Sequence, residues 1–126
     1  TEGVGENPLA GTSWLVTGLY DGDAGEVASA LEGTTLTVDF GATGGLNGTS
    51  GCNTYSARYV LDGSALSITP PRSTSMTCAE PAGIMEQEIV FLTAVKATAS
   101  FSTEAEQLYL SDASDQVVLE LVQRDR

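Results

Sequence analysis

The sequence predicts a mainly β (α+β) fold: a curled or nearly closed antiparallel sheet of seven to eight short strands with one amphipathic helix packed on it. Three observations carry this prediction. Short runs rich in β-branched and aromatic residues recur along the chain, some of them strictly alternating. Turn-forming pairs such as Asp21-Gly22 and Asp62-Gly63 separate them at hairpin spacing. Only one stretch, after Pro81, repeats its apolar residues at three- and four-residue intervals. A single helix argues against βαβ winding, and a sandwich is the alternative architecture.

The elements follow in order. Residues 1–10 read as a flexible leader, with Gly and Glu and an Asn-Pro break, and residues 124–126 as a tail around a single domain at 11–123. Ser13–Tyr20 is β-branched and aromatic and stops at Asp21-Gly22. In Thr34–Phe40, Leu36, Val38 and Phe40 fall on one face and Thr35, Thr37 and Asp39 on the other, the pattern of a half-buried strand. Leu46–Ser50 is a strand punctuated by glycine, where backbones approach closely. Tyr55–Leu61 and Ala65–Ile68 flank Asp62-Gly63, the strongest hairpin signal. Pro70-Pro71 interrupts pairing, and Arg72–Thr77 continues as a short extended piece. The helix is expected from Gly83 to about Ala97, with an inward stripe of Ile84/Met85, Ile89, Leu92 and Val95/Lys96, and Pro81 just before its start. Gln107–Leu110 and Val117–Val122 are the last two strands, joined by a turn at Asp112–Asp115.

The 126 residues include 17 acidic and 5 basic ones, for a net charge of −12. Nucleic-acid binding needs clustered Lys and Arg to release counterions from phosphates. The five cations here are scattered, so nucleic acid and anionic membranes are poor partners. No stretch approaches the roughly 20 apolar residues that span a bilayer. The acidity reads first as solubility and second as steering toward a cationic partner.

The chain has no histidine, which removes Ser-His-Asp and Cys-His nucleophile systems and histidine metal sites together. Lys96, the only lysine, lies beside the apolar stripe, where a lysine stem snorkels. Glu86 and Glu88 are two apart on the helix and face different directions, so each is expected in a solvated or capping role. Asp21, Asp23 and Glu32 match positions 1, 3 and 12 of a calcium loop, making a weak candidate metal site. The template fails at Gly25 and Glu26, and the preceding segment reads as strand. A solvated acidic loop fits these residues better. No catalytic set and no cofactor is implied.

Two cysteines in a small acidic chain allow buried free thiols, an intermolecular link or one disulfide. An exported domain favours the third, Cys52 to Cys78, and closing that loop would stabilise by roughly 3.5 kcal/mol in the chain-entropy model.

Around these cysteines the chain resembles a known family. Gly48-Thr49-Ser50-Gly51-Cys52-Asn53-Thr54-Tyr55, followed by Tyr59, resembles the G-x-x-G-C-N-x-Y/F signature of the META/HslJ domain family. Thr74-Ser75-Met76-Thr77-Cys78-Ala79-Glu80-Pro81 is similar to the family's T-x-M-x-C-x-x-P segment. Met85-Glu86, Glu88, Phe91 and Leu92 on the helix, the early Trp14 and the late Leu108-Tyr109-Leu110 also fall in place. The resemblance implies antiparallel strands with one helix and a bacterial envelope setting, often as a lipoprotein anchored through a segment absent here, with links to stress response. It supplies no catalytic residues.

Trp14 and Met76 are expected in the core. Asn53 is expected to bond its own backbone or to take a left-handed conformation. The candidate binding patch is Asn53, Tyr55, Arg72 and Thr74. The expected function is that of a monomeric, non-enzymatic, extracytoplasmic domain with a protein partner in the envelope. A secreted inhibitor of a hydrolase is the alternative.

Overall fold

In the computed structural model, residues 9–21, 26–30 and 34–124 are described, without the side chains of residues 21 and 26–28. The longest strand is β1 (Thr12–Asp21), followed by β2 (Glu26–Ser29), β3 (Thr37–Phe40), β4 (Gly45–Thr49), β5 (Thr54–Asp62), β6 (Ala65–Ile68) and β7 (Arg72–Ser73). The helix α1 (Ile84–Ala97) comes next, and β8 (Ser100–Glu104), β9 (Gln107–Ser111) and β10 (Val117–Gln123) end the chain. All pairings are antiparallel, in the order β10-β9-β8-β6-β5-β4-β3-β1-β2, and β10 also pairs β1. Eight strands therefore form a ring, with β2 and the short β7 paired outside it. The ring is not a continuous barrel, because β6 and β8 meet at the single pair Ala65↔Ser100.

Two bulges set which side chains face inward. In β1 the register against β10 shifts between Val16 and Gly18, so the buried positions change from Trp14 and Val16 to Leu19. In β10 a shift between Val117 and Leu119 lets the neighbours Val118 and Leu119 both be buried, where a regular strand would send one outward. The expected inner face of β3 appears in Leu36, Val38 and Phe40, each 1% exposed. Thr37 on the other face is also buried, because the Thr49 N–H and the Tyr55 hydroxyl bond to it. Leu36, Val38 and Phe40 join Leu46, Tyr55, Tyr59, Leu66, Leu108, Leu110 and Leu121 in one core, which Leu9 also enters.

The helix packs against β1, β10 and β6. Its buried face is Ile84, Gln87, Glu88, Phe91, Ala94 and Val95. This corrects the expected stripe by one residue, about 100° of rotation. Ile89 is 66% exposed, while Phe91 is fully buried with its ring 5.4 Å from that of Tyr55, edge to face. The rotation brings Glu88 inward, and the reason lies in the partners described below. Met76 is also corrected: it is 60% exposed, whereas Trp14 is buried as expected.

The strand β8 had no expectation attached to it. It is mostly exposed, with Phe101 only partly buried, and so carries no alternating apolar signal. Its hairpin with β9 turns at Ala105, which takes φ 57°. The helix starts after Gly83, at φ 89°, and its C-terminal carbonyl of Ala94 accepts from the Thr98 hydroxyl at 3.0 Å.

Candidate functional site

Cys52 and Cys78 are disulfide-bonded, with Cα atoms 5.8 Å apart. The bond joins the turn between β4 and β5 to the chain that runs from β7 toward the helix. Gly51 makes the turn possible by adopting φ 107°, a conformation that a side chain would strain. Residues 72–77 then cross the surface as a strap, each of them exposed.

Asn53 holds that strap from beneath. It is 4% exposed, and it bonds across segments instead of to its own backbone. Its Oδ1 accepts from the Thr74 hydroxyl at 2.7 Å and from the Met76 N–H at 2.7 Å. Its Nδ2 donates to the Met76 carbonyl at 3.1 Å and to Glu88 Oε1 at 2.8 Å. The two acceptor and two donor capacities of the amide are thus all filled, and no other side chain of that size offers the same set. Because one amide engages both the N–H and the C=O of Met76, it acts on the strap as a peptide group of a neighbouring strand would.

Glu88 closes the network from the helix. Only 6% exposed, its Oε2 accepts from the Ser50 hydroxyl at 2.6 Å and from the Asn53 backbone N–H at 2.9 Å. Ser50, fully buried, also donates its N–H to the Asn53 carbonyl at 2.8 Å, and its hydroxyl oxygen lies 3.0 Å from that same carbonyl. Taking a carboxylate out of water is costly, and charge-assisted bonds to three preorganised donors offset that cost. This compensation turns the helix to face Glu88 inward and corrects the expected solvated role. Glu86 is exposed, as expected.

Tyr55 supports the same region from the core. Its hydroxyl donates to the Thr37 carbonyl at 2.6 Å, and burial, with Asp39 nearby as the lesser cause, pushes the phenol well above its ordinary value of 10.0. Thr37 Oγ1 accepts from the Thr49 N–H at 3.0 Å. This approach is possible because Gly48 has no side chain: a Cβ there would sit 2.2 Å from the Thr37 carbonyl oxygen.

The four candidate patch residues meet at the β5–β7 junction, but they present different groups. Asn53 and Tyr55 are buried, and the Thr74 hydroxyl is engaged by Asn53. Arg72 remains exposed, opposite Ser56 in register. It borders a hollow of about 290 Å³ with Thr54, Tyr55, Ser56, Ser73 and Thr74. A second hollow, of about 370 Å³, brings Arg72 together with Arg58, Ser56, Ala57, Thr69 and Pro70. The calcium candidates Asp21, Asp23 and Glu32 lie outside the residues whose side chains are described. Sequence reasoning missed Ser50, Glu88 and Arg58. Glu88 had one available signal: it lies on the same helical face as Ile84, Phe91 and Val95.

The META domain family model matches residues 7–125. Among solved structures, the NMR structure of a protein from Burkholderia xenovorans superposes with a TM-score of 0.72 at 26% identity, over 94% of this chain and 85% of that one. A second NMR structure gives 0.65 at 22% identity, over 90% of each chain. The crystal structure of a DUF4847 family protein from Bacteroides vulgatus gives 0.62 at 13% identity, over 94% and 96%. The last two likenesses concern the fold alone. No curated protein matches the chain.

Proposed function

The chain belongs to the META domain family, and from that premise we propose that it is a non-enzymatic extracytoplasmic module that binds a protein partner in the bacterial envelope under stress, with the strap at residues 72–77 as its contact surface. One observation carries this reading. The strap is exposed along its length, yet its backbone is fixed by the Asn53 amide and by the disulfide at Cys78. A surface held in one conformation before binding loses little entropy on association, which is where much of the cost of binding lies. The disulfide suits an oxidising compartment, and among the described residues no helix is long and apolar enough to cross a membrane.

The same rigidity favours a second reading, inhibition of a hydrolase, because an extended segment clamped beside a disulfide can lie in a protease cleft as an added strand. The excess of acidic residues would favour a cationic target.

A photo-crosslinking residue at Ser75, compared with one at Thr103 on β8, tests both in envelope extract. Capture of a non-hydrolytic envelope protein from Ser75 alone supports the first reading. A stoichiometric hydrolase that loses activity supports the second. Equal capture from both positions contradicts the strap as the contact surface.

A further inference from the structure

We infer that the strap takes an extended peptide segment bearing carboxylates, added as a strand along the outer edge of β7 with an acidic side chain between Arg58 and Arg72; this rests on the protein-binding reading above.

The Thr74 N–H donates to the Thr54 carbonyl at 3.1 Å, which makes Thr54 and Thr74 a hydrogen-bonded pair of the antiparallel ladder. Alternation then makes Tyr55↔Ser73 the non-bonded kind, so that the peptide N–H and C=O of Ser73 face away from β5. Met76 turns both of its peptide groups inward to Asn53. Ser75, between the inward-facing Thr74 and Met76, faces outward. Among the described residues, the peptide groups of Ser73 and Ser75 have no partner on that side. Such an edge is a template for one more strand.

Charge selects the occupant. Arg58 and Arg72 are two of only five cations in a chain with 17 acidic residues. Ser56 and Arg58 are exposed on one face of β5, and Arg72 lies opposite Ser56, so the two arginines are diagonal neighbours across the β5–β7 pair. Among the described residues neither arginine has an acidic partner. The Arg58 guanidinium is anchored by donating from Nη2 to the Thr43 carbonyl at 2.9 Å, in the turn before β4. One such bond leaves its other N–H groups for a ligand in the hollow that Arg58 lines with Arg72. A planar guanidinium matches a carboxylate, and the shared hollow is where an acidic side chain of a strand lying on Ser73 and Ser75 would reach.

The test is a titration of the isotopically labelled, oxidised full chain with a short blocked peptide alternating glutamate and threonine, with its glutamine counterpart, and with inorganic phosphate. The expected result is slowed exchange of the Ser73 and Ser75 amides with the glutamate peptide, and binding of the glutamine peptide on the order of tenfold weaker. Arg72→Gln should weaken the glutamate peptide about as much. Ser75→Pro, which removes an outward N–H and no inward bond, should abolish the protection of the Ser73 amide while leaving the melting temperature in place. Equal binding of the two peptides would overturn the inference. So would unchanged protection of the Ser73 amide in Ser75→Pro, binding of phosphate without the peptide, or the same protection arising from self-association of the chain. If Ser75 still crosslinks the same envelope protein with equal efficiency in Arg72→Gln, the protein-binding reading stands and the acidic-strand inference falls.

Discussion

Asn53 and Glu88, 35 residues apart, are joined by two hydrogen bonds that use both oxygens of one carboxylate: the Asn53 backbone N–H to Oε2 at 2.9 Å, and the Asn53 side-chain amide to Oε1 at 2.8 Å. The helix thereby grips the turn that carries Cys52, and the turn grips the strap. Glu88→Ala would strand two buried donors of Asn53, its backbone N–H and one Nδ2 hydrogen, and leave the Ser50 hydroxyl only the Asn53 carbonyl. It should cost about 3–5 kcal/mol. Glu88→Gln, which sets an NH2 group against donors, should cost about half as much. Urea unfolding of the two variants checks the order.

Gly48→Ala should destabilise by about 3 kcal/mol, since its Cβ would fall 2.2 Å from a backbone oxygen that cannot swing aside. Gly63→Ala, where a Cβ meets nothing but φ is 63°, should cost roughly 1 kcal/mol. Thermal melting of the pair separates a clash from a backbone preference.

The two candidate helix faces give opposite outcomes. Ile89→Lys, on the exposed face, should change stability by under about 0.5 kcal/mol. Phe91→Ala, in the core, should cost about 3–5 kcal/mol. Comparable losses for both, measured in denaturant, would restore the unrotated stripe.

Tyr55 sets an alkaline limit. Its folded value is raised above the unfolded one, so the protonated phenol is favoured in the folded state; that stability is fully present below the ordinary phenol value of 10.0 and is lost as pH rises beyond it. Stability should fall with pH above about 10, and Tyr55→Phe should flatten that fall. The variant should lose about 1–2 kcal/mol at neutral pH, because the Thr37 carbonyl forfeits its donor. Equilibrium unfolding measured across alkaline pH reads both effects.

The sheet was legible where burial is one-sided. Leu36, Val38 and Phe40 alternate because that face of β3 lies in the core, and Asp62-Gly63 marks the β5–β6 hairpin by local chemistry. The strand β8 was not legible, since nearly all of it is in solvent. Closure of the ring through β1 and β10 depends on pairing residues about a hundred positions apart, such as Trp14 with Gln123, and no local pattern encodes that. At the site, the glycines and cysteines announced themselves through backbone and covalent demands. Glu88 did not, because apolar periodicity counts a buried carboxylate as surface, and its donors come from a distant turn. Arg58 was silent for a similar reason: its proximity to Arg72 exists only once β5 and β7 pair.

The central claim is that the strap is fixed on its inner side and open on its outer side, and residue-resolved amide hydrogen exchange of the oxidised protein tests it most directly. The account predicts slow exchange at Thr74 and Met76, fast exchange at Ser73 and Ser75, and loss of the slow Met76 signal in Asn53→Ala. Uniformly fast exchange from Ser73 to Met76 in the unmutated protein would contradict it.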